Sequence, residues 1–185
     1  MVKKQDLRIR KTKATIYRSI LQILKNKSFE QISVTDICKA SNINRSTFYD
    51  HFNDKQELIQ SFINDMGEEL TEQLPVKKKT YTKKEYYLAI MKQLLEHMEK
   101  KKETYSFLFT INDSMIYEML ENRILNHLQQ HNNNNSNYLI DYFYISGAIR
   151  LCMEFMKKKE MIDYDTIIKY LDHLIPEIEN LEENL

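Results

Sequence analysis

The chain has 185 residues, of which 42% are hydrophobic, so it can bury a substantial core in one large or two small domains. Only two glycines and two prolines occur, and β-hairpin turn signals are missing; we therefore predict an all-α fold. The formal net charge is zero, but residues 1–60 hold 12 basic and 6 acidic residues, whereas the rest hold 15 and 21. A basic front and an acidic rear indicate a nucleic-acid-binding end joined to a part that does not touch nucleic acid.

Composition and motifs also argue against several classes of protein. No apolar run approaches the length of a membrane span, and the amino terminus is too polar for a signal peptide, so we expect a cytoplasmic protein without membrane contact. Phosphate loops, nucleophile elbows and HExxH motifs are missing, so we expect no enzyme, no cofactor and no metal. His127 and His131 can share a helical face, but a third ligand is not indicated nearby. Cys38 and Cys152 belong to no CxxC pattern and are expected to be reduced and buried.

The amino-terminal residues predict a basic arm followed by helices. Residues 1–11 are expected to be disordered alone and to reach a DNA groove or backbone when bound. A helix over residues 12–27 follows, and its apolar stripe consists of Ile16, Ile20, Ile23 and Leu24. Ser33 and Asp36 then have the spacing of a capping box, which predicts that a second helix begins there.

Two short helices joined by a tight turn are predicted over residues 33–51. Asn42 can take the left-handed conformation that a sharp turn needs, and Asn44 is a natural N-cap for the next helix. On that helix Phe48 and Phe52 are four residues apart and face inward, which predicts a helix-turn-helix with its polar side turned outward. A fourth helix is expected from Asp54 toward residue 74, where Pro75 ends it and where it joins the two halves mechanically.

The spacing of these residues, and above all the segment TFYDHFNDKQEL, closely resembles the DNA-binding domain of the TetR family of bacterial transcriptional regulators. The resemblance covers about the first third of the chain. Ser28 and Asn42 are departures, because the family usually has glycine at both turn positions.

The resemblance implies that the helix over residues 45–51 enters the major groove of double-stranded operator DNA. It places Arg45, Ser46 and Thr47 nearest the bases, Ser33 and Thr35 near phosphates, Tyr49 and His51 on the DNA backbone, and Lys55 with its helix terminus on another phosphate. Simpler interpretations stay open for three of them: Thr47 as a local cap, Lys55 as a solvated lysine, and His51 packed on the helix end.

The second half is predicted to be a helical regulatory and dimerisation domain over residues 61–185, behind a DNA-binding domain over residues 1–60. About nine helices are expected in the whole chain. Those of the second half cover residues 83–101, 103–112, 113–130, 137–158 and 164–181, with a flexible loop at residues 131–137.

The last two long helices carry the heaviest apolar load, which predicts a two-fold homodimer and hence a near-palindromic operator. The candidate dimerisation residues are Tyr142, Ile145, Gly147, Ile149, Ile167, Leu171 and Leu174. Gly147 inside a helix costs about 1 kcal/mol relative to alanine, which indicates that another helix approaches closely there. The alternative is a monomer in which the helix is a central core member.

The stretch SGAIRLCMEFMKKKEMIDYDTII gives a looser resemblance to a TetR subgroup that includes regulators of dihydroxyacetone-kinase operons. Phe155 stands where that subgroup usually has tryptophan, and Lys159 with Glu160 replaces a usual Asn-Gly-like turn. The effector of the subgroup is not carried over.

Aromatic and methionine side chains in this half suit a cavity for an apolar or amphipathic small-molecule effector, although plain core packing explains many of them equally well. The candidate pocket residues are Tyr105, Phe109, Met115, Met119, Tyr142 and Met153. The sequence thus predicts a homodimeric, ligand-responsive transcription factor, and the family resemblance favours a repressor. The alternatives are an activator or co-regulator acting through a protein partner, and an interaction protein that does not bind DNA.

Overall fold

The computed structural model describes residues 2–131, 138–157 and 164–174, and every regular element in these ranges is helical. The predicted all-α fold class is therefore confirmed. The α-helices are α1 (Val2–Leu24), α2 (Val34–Ser41), α3 (Arg45–Tyr49), α4 (Lys55–Gln73), α5 (Lys83–Lys100), α6 (Lys102–His131), α7 (Tyr138–Lys157) and α8 (Tyr164–Leu174), with a 3₁₀ helix at Phe29–Gln31. The chain forms two compact units, Met1–Asp65 and Met66–Leu185.

The first unit is built on a small apolar core. The buried side chains come from α1, α2, α3, the segment after α3 and the first turns of α4, and they are Ile16, Ile20, Ile37, Phe48, Phe52, Leu58 and Phe62. Tyr17 of α1 extends this core, because its ring stacks on that of Phe62 with centroids 4.2 Å apart and its hydroxyl donates to Asp65 at 2.7 Å. The phenol group therefore combines ring packing with a polar bond at the edge of the core.

The predicted separation of a basic arm from the first helix is wrong, because α1 begins at Val2. Residues 2–11 contain neither glycine nor proline and consist largely of strong helix formers, so the helix continues toward the amino terminus. Residues 7–11 are exposed. The basic residues of this segment therefore lie on a helix.

The tight turn between α2 and α3 has the predicted geometry. Asn42 has φ 52° and ψ 47°, in the left-handed region, and its amide donates to the carbonyl of Lys39. Asparagine tolerates this region better than most other non-glycine residues, which explains how the chain forms the turn without glycine. Asn44 has extended backbone at the N-cap position of α3, but its side chain makes no capping hydrogen bond.

The second unit is formed by the end of α4 and by α5 to α8, with α7 packed against α5, α6 and α8. The predicted pair of helices over residues 103–130 is one element, α6, which is interrupted at Asn112 by non-helical backbone angles of −161° and 92°. The Asn112 side chain accepts a hydrogen bond from the amide of Met115 at 3.0 Å. This bond caps the second segment of α6, so an asparagine both ends one helical segment and starts the next.

Two buried polar clusters join helices within the second unit. Lys83 of α5 and Asp141 of α7 are nearly inaccessible, and their Nζ and Oδ1 atoms lie 2.9 Å apart. The Tyr87 hydroxyl also donates to Asp141. In the other cluster, Glu121 of α6 accepts from the hydroxyl of Tyr117 at 2.9 Å and from that of Ser146. Buried charges of this kind are tolerated only when they are paired with an opposite charge or hydrogen-bonded.

The structure changes the assignment of the predicted dimerisation residues. Ile145, Ile149, Ile167 and Leu171 are completely buried within the single chain, so they belong to its own core. Tyr142 and Gly147 are exposed on α7, and Leu174 ends α8 with a side chain outside the described part. The sequence pattern did not distinguish the inner face of these helices from their outer face because both faces are apolar.

Some sequence predictions fall outside the described residues. They are residues 132–137 of the flexible loop predicted at 131–137, the turn at Lys159 and Glu160, and the part of the last predicted helix beyond residue 174; His131 itself ends α6.

Candidate nucleic-acid interface

The outward face of α3 presents a paired arginine and tyrosine. Arg45 and Tyr49 are both exposed, and the Arg45 Nη2 atom donates to the Tyr49 hydroxyl at 3.2 Å. The guanidinium carbon lies 5.8 Å from the centre of the Tyr49 ring. The hydrogen bond to Tyr49 raises the pKa of Arg45 above its ordinary value, so this side chain carries its positive charge at any physiological pH.

The opposite face of α3 fixes the helix to the core. Phe48 is completely buried and contacts Phe52 with ring centroids 5.6 Å apart. Ser46 and Thr47 lie between Arg45 and Phe48 in the chain. The Ser46 side chain is exposed, whereas that of Thr47 is half-buried. A helix anchored on one side by aromatic rings offers its polar side chains in a fixed orientation, as a DNA-reading helix requires.

Two further predicted contact residues flank α3. Thr35 is exposed in the first turn of α2. His51 is half-buried just after α3, and its ring lies 6.1 Å from that of Phe52. The sequence interpretation in which His51 packs on the helix end is compatible with this contact.

The Ser33 side chain is committed to the capping box of α2. Its hydroxyl accepts from the Asp36 amide at 3.1 Å and donates to the Asp36 carboxylate at 2.8 Å. The Ser33 amide donates to the same carboxylate at 3.0 Å. These bonds, the backbone one first, lower the pKa of Asp36, and Lys27 at 3.6 Å lowers it further. The predicted capping box is therefore confirmed, and the hydroxyl of Ser33 is already used inside the protein.

The polar group of the Lys55 side chain is also bonded within the protein. Its Nζ atom donates to the carbonyl oxygens of Phe29 at 2.8 Å, Glu30 at 3.0 Å and Ile32 at 2.9 Å. It also lies 4.8 Å from the centre of the Phe29 ring. An ammonium group has three donor hydrogens, so all three are matched by backbone acceptors in this conformation. Sequence reasoning missed this role because the acceptors belong to a turn more than 20 residues earlier.

A groove beside the turn between α2 and α3 is lined partly by residues 7, 8 and 11, which the sequence analysis had placed in the basic arm. It has a volume of about 510 Å³ and lies between the first half of α1 and Ile43. Its lining residues are Leu7, Arg8, Lys11, Thr12, Thr15 and Ile43. The basic and hydroxyl side chains here are of the types that contact DNA phosphates.

The predicted pocket residues of the second unit lie in different environments. Tyr105 and Met153 are buried, Tyr142 is exposed, and Phe109, Met115 and Met119 are half-buried. The rings of Tyr105 and Phe109 are in contact, with centroids 5.9 Å apart. Met119 instead packs against α4, where its sulfur would lie 2.6 Å from a Cβ atom added to Gly67.

The histidine pair considered for metal binding has another partner. The rings of His127 and His131 are 4.5 Å apart, and the Nε2 atom of His127 lies 2.9 Å from the carbonyl oxygen of Pro75. Among the residues that the structure describes, no group of three or more His, Cys, Asp or Glu is placed to hold a metal ion. Nor does any helix in that part of the chain combine the length and apolarity needed to span a membrane.

Comparisons with known proteins agree with this geometry. Residues 16–62 match the family model of bacterial regulatory proteins, tetR family. The chain is 35% identical over 75 residues to the uncharacterised HTH-type transcriptional regulator YxbF of Bacillus subtilis (strain 168), covering 40% of this chain and 20% of YxbF. It is 34% identical over 58 residues to DhaS, an HTH-type transcriptional activator of the dhaKLM operon of Lactococcus lactis subsp. lactis (strain IL1403), covering 31% of each chain. The matches thus span less than a third of these curated relatives.

Solved structures extend the likeness to the rest of the fold. A structure of the dihydroxyacetone kinase operon activator DhaS superposes with a TM-score of 0.60 at 17% identity, covering 94% of both chains. The flavonoid-responsive regulator FrrA superposes with a TM-score of 0.65 at 16% identity, covering 94% of this chain and 96% of FrrA. Residues 16–62 are therefore similar to bacterial regulatory proteins of the tetR family, and the chain shares its overall fold with the regulators DhaS and FrrA.

Proposed function

We propose that this protein is a transcriptional regulator that binds operator DNA through α3, as a homodimer located in the cytoplasm. The observation that carries this proposal is the exposed Arg45–Tyr49 pair on a helix whose other face is anchored by Phe48. A guanidinium group in this position can donate two parallel hydrogen bonds to a guanine edge, which is the commonest specific contact to a base.

The proposed division of roles separates the polar side chains that present themselves at α2 and α3 from those that hold the protein's own backbone or capping box. Arg45, Ser46 and Thr47 read the base edges, while Thr35, Tyr49 and His51 contact the DNA backbone. Ser33 and Lys55 enter the proposal in a different role from the one that the family resemblance implied. Their polar atoms are bonded within the protein, so we assign them to holding α2 and the preceding turn in position.

The proposed dimer interface is the outer face of α7 and α8. Four large apolar side chains are exposed there, Leu139, Tyr142, Phe143 and Tyr170, and Phe143 is 73% exposed. A groove of about 500 Å³ lies beside them, lined by Phe143, Tyr144, Gly147, Ala148, Arg150, Leu151, Glu154 and Leu171. Leu139, Tyr142 and Phe143 share one face of α7 by their spacing, and exposed apolar patches often mark protein interfaces, which supports burial of this face against a second copy of the chain.

The dimer is tested by the mass of the full chain in solution at micromolar concentration. We expect wild type to sediment as a dimer and Phe143→Lys to sediment as a monomer, because the substitution places a charge in an apolar interface. Val76→Lys is the matched control, since Val76 is also exposed but lies between α4 and α5. A monomeric wild type, or dimers of both variants, would contradict the assignment of this face.

DNA binding is tested by selecting bound sequences from a random DNA pool, so that the operator sequence need not be specified in advance. We expect a near-palindromic consensus and an affinity that falls with rising salt. Arg45→Ala should weaken binding to the selected sequence by about 1–3 kcal/mol and relax its specificity at one position in each half-site. Lys102→Ala removes an equal charge from α6 and should bind like wild type. Equal binding by Arg45→Ala and wild type would show that α3 does not read the DNA.

The regulatory part of the proposal is a ligand that weakens operator binding, so that the protein acts as a repressor released by a small molecule. The flavonoid responsiveness stated in the name of FrrA supports a small-molecule input for this fold. To switch the protein effectively, the ligand must prefer the released state by several kcal/mol.

Activation is the second candidate, because DhaS is named as an activator and resembles this chain in both sequence and fold. A reporter placed downstream of the selected operator separates the two signs of regulation. Expression that falls when the protein is supplied indicates a repressor, and expression that rises indicates an activator.

A further inference from the structure

Arg45 and Tyr49 are the first and last residues of α3, four positions apart. Side chains with this spacing lie on the same face of a helix and can contact each other. Here the Arg45 Nη2 atom lies 3.2 Å from the Tyr49 hydroxyl oxygen, and the guanidinium carbon lies 5.8 Å from the centre of the tyrosine ring. Tyr49 therefore contacts the arginine both through its hydroxyl group and with its ring.

The tyrosine ring is itself held against the core of the first unit. It meets the ring of Phe48 edge to face, with centroids 5.5 Å apart and an interplanar angle of 89°. Phe48 is completely buried, whereas Tyr49 is 48% exposed. The exposed Arg45 side chain is thus bonded to a residue that packs on a buried ring.

The group that accepts this hydrogen bond from Arg45 is a neutral phenol. A carboxylate in its place would neutralise the guanidinium group and would be repelled by DNA phosphates. The bond to Tyr49 uses one guanidinium N–H and leaves enough donors for two parallel bonds to a base edge. The tyrosine hydroxyl also keeps its own hydrogen, which it can donate to a phosphate.

A side chain held in this way should discriminate between bases better than a free one. An arginine has many rotamers, and ordering it at an interface costs conformational entropy. A free guanidinium group can also turn toward a different base or a phosphate, which reduces the penalty for a wrong sequence. Holding the group in one direction removes those alternative contacts.

We propose that Tyr49 is a specificity-determining residue, which acts by holding the Arg45 guanidinium group in the orientation that reads one base. This inference rests on the proposed function, because it requires Arg45 to contact a base. It gives Tyr49 a positioning role in addition to a contact with the DNA backbone. The competing explanation is a tyrosine that contacts only a phosphate, and the two roles differ in which DNA sequences lose affinity.

The test uses the full chain, the operator selected from the random pool, and versions of that operator with each other base at one position of both half-sites. The position is the one at which Arg45→Ala loses its discrimination. Tyr49→Phe keeps the ring and removes the hydroxyl, and we expect it to reduce the preference for the selected base about threefold. An unchanged preference would overturn the proposal. So would an equal loss of affinity for all versions, because a uniform loss indicates a phosphate contact alone.

A double variant separates positioning from a direct contact between Tyr49 and the base. In the Arg45→Ala background, Tyr49→Phe should leave the base preference at this position unchanged, since the side chain that it positions is absent. A further loss of preference in the double variant would contradict the proposal and indicate that the tyrosine reads the base itself.

Tyr81→Phe is the matched control, because this tyrosine of the second unit also has a cation over its ring, with the Lys78 Nζ atom 5.3 Å from the ring centre. It should bind every version of the operator like wild type. The preference is a ratio of two affinities of the same variant, so a smaller folded fraction cancels and does not imitate the effect.

Failure of this inference is distinguishable from failure of the proposed function. If Arg45→Ala loses discrimination at one position and Tyr49→Phe keeps it, the DNA-binding proposal stands and the role of Tyr49 is wrong. If no operator is selected, or if Arg45→Ala discriminates like wild type, both are wrong.

Discussion

Two regions of this protein, one around α2 and α3 and one between α5 and α7, use their polar side chains in different ways. Around α2 and α3, the polar atoms of Ser33, Ser41 and Lys55 are bonded to nearby backbone or to a capping carboxylate, and they fix the shape of loops and helix ends. In the second unit, side chains such as Lys83 and Asp141 are bonded to each other between helices, and they are buried. The first arrangement sets local geometry, whereas the second makes helix packing depend on charge pairing.

This difference predicts where a single substitution is most harmful. When a side chain that bonds to the backbone is substituted, the backbone group near the surface can bond to water instead. A buried pair leaves a charge behind when one member is removed, and that charge cannot reach water. We therefore expect the largest loss of stability at the buried ion pair and smaller losses at partly exposed groups.

The largest effect is expected at the buried ion pair of the second unit. Asp141→Leu leaves the Lys83 ammonium buried without this carboxylate and should reduce the free energy of unfolding by about 3–5 kcal/mol, as measured by urea denaturation. Asp172→Leu is the control, because Asp172 pairs with Lys84 at 3.3 Å with half of its side chain exposed, and it should cost less than about 1 kcal/mol. Similar losses in both variants would remove the contrast between the units.

A smaller effect is expected at Lys55 in the first unit. Lys55→Met removes three hydrogen bonds to carbonyl oxygens, and we expect the free energy of unfolding to fall by about 1.5–3 kcal/mol in urea denaturation. If Lys55 only positions the turn, the salt dependence of operator binding keeps its wild-type slope. A slope reduced by about one unit would show instead that Lys55 binds a phosphate. Lys39→Met is the control, because Lys39 is an exposed lysine of α2, and it should change the free energy of unfolding much less.

A still smaller effect should appear when pH is lowered. Because burial depresses the pKa of His97, the unfolded chain binds a proton below about pH 6.5 that the folded chain resists. Stability from this group is therefore complete above that pH and decreases as pH falls, by up to about 1.4 kcal/mol per pH unit. Urea denaturation at pH 7.5 and 5.5 should show a smaller difference in His97→Phe than in wild type. Met98→Leu changes the next buried side chain of α5 but keeps the histidine, so it should keep the wild-type difference.

The smallest effect concerns Gly147, where a Cβ atom would meet nothing within 4 Å in the described chain. Gly147→Ala should stabilise α7 by about 0.5–1 kcal/mol in a monomeric background such as Phe143→Lys. In the dimer the added methyl group should instead weaken association if the partner helix approaches there, as sedimentation at decreasing concentration would reveal. Unchanged association would place Gly147 outside the interface.

Sequence reasoning succeeded where a structural feature is determined by residues close together in the chain. The capping box of Ser33 and Asp36 and the left-handed turn at Asn42 were predicted correctly, because each depends on a few consecutive residues. The boundary predicted between the helices over residues 103–112 and 113–130 coincides with the interruption at Asn112, where asparagine favours a cap over a helix interior.

Prediction failed where partners are distant in sequence or where two faces of a helix are equally apolar. The acceptors of Lys55 precede it by more than 20 residues, and Asp141 follows Lys83 by more than 50. The burial of Ile145 and Ile149 inside the chain, and the exposure of Phe143, depend on which face of α7 the other helices cover. Helical periodicity gives the angle between side chains but does not say which side is inward when both are hydrophobic.

The helical amino terminus has a consequence for the heat of complex formation. An arm that folds on binding would lose chain entropy at that moment and would give a large negative heat-capacity change. Residues 2–11 already belong to α1, so an operator complex would form between two largely pre-organised surfaces. Titration calorimetry at several temperatures should therefore give a modest heat-capacity change, and the rate of association should be governed by the attraction between the basic helix and the DNA phosphates.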